Sequence, residues 1–202
     1  GKSVALISDA GTPLISDPGY QLVSEAKKTG INVVPIPGPN AAIAALSSSG
    51  ITSSSFSFFG FLPSKQNSRL KILKTKRSLD ETIIFYESPK RILATIKDMI
   101  TVFGQTRRAC LAKELTKSFE TILNDNLMAL MDYLESDPSH QKGEFVLIVS
   151  PDDKIDFDEA KSELEKILPI LCDEMGASKA AKLASKITGL DKKYCYKKAI
   201  NL

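Results

Sequence analysis

The sequence predicts an α/β protein in three parts: a partial parallel-sheet α/β domain (1–54), a mixed-sheet α/β domain (55–151) and a small helical tail (152–202). Two apolar runs, Val4–Ile7 and Ile31–Ile36, predict the first part. Each leads into a loop of small residues, Ser8-Asp9-Ala10-Gly11-Thr12-Pro13 and Gly38-Pro39-Asn40, and then into a helix-like stretch. A strand–loop–helix unit repeated this way puts both loops on one sheet edge, where open α/β sheets bind ligands. A lysine-rich stretch beyond Gly176 sets the tail apart.

In the first part, Asp17 and Pro18 read as the cap and first residue of a helix that runs to Lys28 and ends at Gly30. Asn40 caps a second helix, Ala41 to Ser48, stopped at Gly50. Ser and Thr crowd 52–55, which marks a linker. In the second part, Phe56, Phe58 and Phe59 lead into Gly60-Phe61-Leu62-Pro63, and a basic helix spans 67–78. Thr82–Tyr86 is a buried strand, and helical spacing of Ile92, Leu93, Ile96, Met99 and Ile100 predicts a helix over 90–102. Residues 108–115 and 119–123 form paired strands, 126–134 a helix and 144–149 a last strand. The tail begins near Asp152, with an acidic amphipathic helix over 156–171. Two short helices then flank Thr188-Gly189-Leu190, the outline of a helix-turn-helix.

The bulk numbers exclude more than they assert. The 43% apolar content supports a core, and the net charge of +3 decides nothing about partners. Three distant cysteines and one His fit neither a disulfide framework nor a Cys/His metal site, so no metal is expected and a reduced, cytoplasmic setting fits. No run reaches the roughly 18 apolar residues that cross a bilayer, and no signal peptide is visible, so no membrane partner is expected. The chain opens on Gly-Lys-Ser without Met and enters a strand at once, which reads as a piece of a longer protein.

Several residue sets carry possible chemistry, each beside a plainer structural reading. Small side chains at Ala10 and Gly11 let a ligand approach the backbone, and Asp9 can accept from an amine or hydroxyl; a tight turn explains the same residues. The helix start at Asn40 and Ala41 suits an anion, or only an N-cap. Six Lys/Arg and no acid lie in Pro63–Ser78: Lys65, Arg69, Lys71, Lys74, Lys76 and Arg77, with Lys90 and Arg91 soon after. Seven Lys, among them Lys182, Lys186 and Lys193, stand against the single Asp191 in the tail, with Tyr194 and Tyr196 between them. Both runs suit phosphate contact; a solvated face or a dimerisation element suits them too. Glu87, Lys113, Glu114 and Glu120 are acid/base candidates, because charges at or inside apolar strands need partners or a purpose; ion pairs between strands are the plainer account. His140 lies in a polar loop and is expected to be exposed.

Six ordered motifs add a resemblance. They are Ser8–Gly19 (SDAGTPLISDPG), Pro37–Ala42 (PGPNAA), Gly60–Pro63 (GFLP), Phe85–Ser88 (FYES), Ala112–Lys117 (AKELTK) and Lys142–Ile148 (KGEFVLI). Together they resemble the bacterial family of ribosomal RNA small-subunit methyltransferase I, within the tetrapyrrole-methylase superfamily, along the whole chain. The resemblance implies S-adenosylmethionine (SAM) as methyl donor, 2′-O-methylation of a cytidine in 16S rRNA of the small ribosomal subunit, and a homodimer. It implies a SAM site lined by Ser8, Asp9, Ala10, Gly11, Thr12, Pro39, Asn40 and Ala41, with Phe85 and Tyr86 nearby. Asn40 stands where the family's pattern has Ser or Thr, and the strand and Gly-rich loop that open the family's chain have no counterpart here.

In-line methyl transfer requires alignment and acceptance of a hydroxyl proton. Glu114 or Glu87 is the expected acceptor, with Lys113 easing the charge. Lys65, Arg69, Lys71, Lys74, Arg77, Arg91, Lys182, Lys186 and Lys193 are the expected RNA contacts. A corrin or porphyrin methylase of the same superfamily, and a non-catalytic nucleic-acid-binding protein, are the alternatives.

Overall fold

A computed structural model describes residues 1–77, 79–151, 157–188 and 190–201. Ser78, Asp152, Asp156, Gly189 and Leu202, which figure in the predicted elements, lie outside them. The chain divides into two compact units, Gly1–Asp152 and Asp153–Leu202.

The first unit is built on five strands: β1 (Phe56–Phe61), β2 (Thr82–Glu87), β3 (Arg108–Lys113), β4 (Thr121–Asn126) and β5 (Phe145–Val149). Their spatial order is β1-β2-β5-β3-β4. β1 runs parallel to β2, and the other pairings are antiparallel, so the sheet is mixed. β2 and β5 are buried on both faces, which is why both read as continuous apolar runs. Of the helices, α1 spans Tyr20–Lys28, α2 Ala41–Ser48, α3 Gln66–Lys76, α4 Ile92–Phe103 and α5 Leu127–Ser136.

The two faces of the sheet bury different things. Phe85, Leu111 and Leu147 point into the larger core with Leu73 of α3, Ile92, Ile96 and Met99 of α4, and Leu130 and Leu134 of α5. Ile84, Cys110, Ala112 and Ile148 face the other way and pack on Ala42, Ala45 and Leu46 of α2. The alanines of α2 thus let a helix lie close on the sheet.

The structure corrects the first part of the sequence reading. Neither Val4–Ile7 nor Ile31–Ile36 is a strand. A strand requires a hydrogen-bonded neighbour, and among the described residues these runs pair with none. Their side chains stand out instead: Val4 is 86% exposed, Ile7 85% and Ile36 79%. Nor does Asp17 cap α1. The chain passes through positive φ at Leu14 and Ser16, and the helix begins after Gly19 with no side-chain cap.

Asn40 does cap α2, its Oδ1 accepting from Ala42 N at 3.0 Å and Ile43 N at 3.2 Å. β1 was a strand the sequence did not announce. β3 stops at Lys113 rather than Leu115, because Glu114 takes φ 51.

The second unit holds α6 (Phe157–Met175), α7 (Ala177–Thr188) and α8 (Lys192–Ala199). Leu164 and Leu168 of α6 pack on Ala180, Ala181 and Ala184 of α7 and on Cys195 of α8. Asp191 caps α8 through Lys193 N and Tyr194 N. No described helix is long and apolar enough to cross a membrane.

Candidate functional site

The C-terminal ends of β1, β2 and β3 lie on one edge of the sheet. Glu87 of β2 and Lys113 of β3 both pair with Phe145, so the two strand ends flank the start of β5. The two small-residue loops meet on the α2 side of this edge. Thr12 Oγ1 donates to Pro39 O at 2.9 Å, and the Cα of Gly11 is close enough that a Cβ there would sit 3.8 Å from the same oxygen. Gly11 takes φ 74, which a side chain resists. Ser8 Oγ donates to Ala10 O and closes the first loop on itself. Asp9, Ala10 and Ala41 are exposed.

Tyr86 ties the second loop to the sheet. Its hydroxyl accepts from Ala42 N at 3.2 Å, and its ring meets Phe58 edge-on at 4.7 Å. Burial pushes the phenol above its ordinary value of 10.0, and the Ala42 N–H pulls the other way. The amides of Ala42 and Ile43 are therefore already spent on Asn40 and Tyr86. This corrects the idea of an open anion site at the α2 N-terminus: the cap occupies most of it.

The neighbouring Phe85 is fully buried on the opposite face. Strand alternation separates it from Tyr86, so its side chain cannot line the pocket of a ligand on the α2 side.

The two carboxylates singled out by sequence differ sharply. The Glu87 side chain has no exposed surface. Its Oε1 takes Arg91 Nη2 and Ser88 N, both at 2.7 Å, and its Oε2 takes Thr95 Oγ1 at 2.7 Å. With both oxygens engaged and no path to solvent, it is not placed to accept a proton from a substrate. Arg91 is likewise engaged, donating Nη1 to Leu62 O at 3.0 Å and Nε to Ser88 Oγ at 3.1 Å.

Glu114 sits on the rim. Its Oε1 accepts from Glu144 N at 2.8 Å and from Lys117 Nζ at 3.0 Å. These two bonds, the Glu144 amide first, hold its carboxyl below the ordinary value of 4.5, and the Lys113 charge adds to them. The turn it starts is strained, with positive φ at Glu114 and Thr116. Glu120 braces the turn, its Oε2 accepting from Thr116 N at 2.6 Å. Lys113 is buried and donates to Ser139 O at 3.0 Å, so it acts on Glu114 only through its charge.

The basic candidates also separate. Arg69 is buried, 3% exposed, with Nε on Asp98 Oδ2 at 2.7 Å. It is a core ion pair and not an RNA contact, since helical spacing turns it toward α4. Lys65, Lys71, Lys74 and Arg77 are exposed, as are Lys182 and Lys186 of α7 and Lys193 of α8. His140 is not simply exposed: it stacks on Tyr133 with ring centroids 3.9 Å apart. Among the described residues no group of three or more His, Cys, Asp or Glu is arranged to hold a metal ion.

Comparison with known proteins gives the family. The model of the Tetrapyrrole (Corrin/Porphyrin) Methylases matches residues 1–130. A protein of Pseudomonas aeruginosa, Ribosomal RNA small subunit methyltransferase I, is 47% identical over 99% of this chain and 71% of its own length. The chain belongs to that family of tetrapyrrole methylases. The Escherichia coli O157:H7 protein of the same name is 44% identical over 99% of this chain and 70% of its own. The family's C-terminal helix-turn-helix domain, described as the RsmI C-terminal HTH domain, matches 158–202, the second unit. In fold, the chain resembles the methyltransferase CobJ, with a TM-score of 0.52 at 17% identity over 70% of this chain and 62% of that one. It resembles a diphthine synthase equally, with a TM-score of 0.52 at 16% identity over 70% and 57%. The tetrapyrrole-methylase fold is thus shared by chains of low identity, while the ribosomal family is singled out by sequence.

Proposed function

We propose that this protein is a SAM-dependent methyltransferase that modifies 16S rRNA of the small ribosomal subunit at the 2′-oxygen of a cytidine ribose. The observation that carries the site is the closure of two distant small-residue loops, by Thr12 on Pro39 and by Tyr86 on Ala42, at the C-terminal sheet edge. Membership of the ribosomal methyltransferase family supports the substrate.

The donor set fits SAM. The exposed Asp9 carboxylate suits an amine or sugar hydroxyls; Ala10, Gly11, Pro39 and Ala41 are exposed beside it, and Ser8, Thr12 and Asn40 are half-buried. Tyr86 holds the second loop in place. Bound there, SAM supplies an electrophilic methyl group. The chain's own task is to align the ribose hydroxyl and take up its proton.

Glu114 is the residue we assign to that task. Its Oε1 is committed to Glu144 and Lys117, bonds that hold its carboxyl below the ordinary carboxylate value. A weak base of this kind works by hydrogen-bonding the hydroxyl as charge develops, with Lys113 and Lys117 balancing the carboxylate. Lys65, Lys71, Lys74 and Arg77 in the first unit, and Lys182, Lys186 and Lys193 in the second, are the phosphate contacts. A cytoplasmic homodimer completes the reading.

The test is transfer of labelled methyl from SAM to small subunits lacking the modification. Ribose-methylated cytidine is the expected product. Methylation of a corrinoid or porphyrin, with none of rRNA, would replace this reading with the small-molecule one.

A further inference from the structure

β1 carries an interruption in its alternation. Phe56, Ser57 and Phe58 pair in order with Thr82, Ile83 and Ile84, but Phe61 then pairs with Tyr86, one residue short of the regular partner. An unbroken strand would put Phe61 on the face of Phe59, which stacks on Phe85 in the larger core. The extra residue turns it over. Phe61 meets Tyr86 edge-on at 5.7 Å and is 53% exposed. Bulges re-aim side chains beside active sites. This one depends on Gly60, whose φ is 61 and where a Cβ would stand 2.8 Å from Ser16 Oγ, just past the first small-residue loop.

The backbone after Phe61 is then fixed by two ion pairs from different places in the chain, one fully buried and one with a half-buried arginine. Arg91, held by Glu87, donates to Leu62 O at 3.0 Å. Arg69, held by Asp98, donates to Pro63 O at 3.3 Å and to Ser64 O at 3.2 Å. Three successive carbonyls are thus gripped by two guanidinium groups. The product of this apparatus is a ring left in solvent, which forgoes the burial an unbroken strand would give it.

We propose that Phe61 contacts the substrate, its open face stacking on the base of the nucleotide being methylated, and that Glu87 and Asp98 are positioning residues that hold it through Arg91 and Arg69. The inference rests on the rRNA reading above. Proteins recognise unpaired RNA bases by stacking them on aromatic rings, and sequence-specific recognition of RNA targets the loops and bulges whose bases can be splayed out in this way. Phe61 is placed for this, because Tyr86 joins it to the loop that would hold the methyl donor.

The test uses the whole protein, with Phe61→Ala, Phe61→Leu and Phe61→Trp assayed on small subunits and SAM binding measured by calorimetry. Loss of a stacked base is worth about tenfold. Phe61→Ala is expected to raise the KM for RNA by about that factor, with unchanged SAM affinity and unchanged melting temperature. Trp should restore the KM and Leu should not. Glu87→Gln should raise the same KM, and adding Phe61→Ala to it should raise it little further, while the two changes act independently on unfolding. Where Glu87→Gln does not fold, Arg91→Lys, which keeps the charge but not the fork onto Leu62, replaces it in the cycle. Wild-type KM in Phe61→Ala overturns the proposal, and so does rescue by Leu, a fall in SAM affinity alone, or full additivity in the cycle. A wild-type protein that binds SAM but methylates no rRNA overturns the functional reading instead.

Discussion

The ends of β2 and β3 present the same residue type on the same sheet edge, one strand apart, and give it opposite surroundings. Glu87 is dry and fully hydrogen-bonded; Glu114 is partly open, on a strained turn, with a neighbouring lysine that itself reaches solvent. A carboxylate sealed with an arginine contributes rigidity. One on a braced rim can meet a substrate. The contrast assigns support to the first and chemistry to the second, and each assignment can be broken separately.

The largest effect should come from Glu87. Glu87→Ala leaves Arg91, whose side chain is 24% exposed, without its buried partner, so a loss of about 3 kcal/mol, the lower end for a broken buried pair, is expected in urea unfolding. A loss under about 1 kcal/mol would mean that the pair is far more hydrated than its burial implies. Glu114→Gln should do the reverse. It should lower kcat by about 100-fold, the lower range for a lost general base, while the unfolding midpoint hardly moves. Gly143→Ala comes next. A Cβ at Gly143 would lie 2.5 Å from Glu114 Cγ, at a φ of 98. The change should cost about 1–3 kcal/mol and reduce activity by displacing the same carboxylate; crystallography of the variant would show whether Glu114 moves.

Acid should act on the rim before the interior of the sheet. Because the folded pKa of Glu114 is depressed, its contribution is present above the ordinary value of 4.5 and is lost as pH falls through the lower folded value. Hydrogen exchange at the Glu144 amide should therefore accelerate in that acid range while the β2–β5 amides stay protected. Equal acceleration at both would erase the contrast. The smallest effect concerns Cys110. Burial pushes its thiol up to about 11, so it should resist alkylation at neutral pH in the native protein and react only after unfolding.

Local signals in the sequence carried most of the sheet and the Asn40 cap, though the Asp17 cap they suggested does not form. The apolar runs of β2 and β5, the spacing of α4 and the Asn40 cap need only near neighbours, and each stands where the sequence reading places it. What failed depended on partners far along the chain. Val4–Ile7 has strand composition but no ladder, and composition cannot supply one. β1 was hidden because Gly60 breaks the alternation that marks a strand. Arg69 looked like a surface charge because its partner, Asp98, is 29 residues away. Glu87 has its partners Ser88, Arg91 and Thr95 close by in sequence; what the sequence hid there was that the sheet and α4 seal the carboxylate from solvent. The joining of the two small-residue loops was legible as placement on one edge. The Thr12–Pro39 bond that closes them was not, since it spans 27 residues.

The role of Glu114 is tested most directly by methyl transfer with Glu114→Gln, measured with labelled SAM and unmodified small subunits beside the wild-type protein. Label is expected on a cytidine ribose with the wild type, and the variant should fold and bind SAM equally well but transfer about 100-fold more slowly. Transfer at the wild-type rate by the variant, or label on a base rather than a ribose, would contradict it.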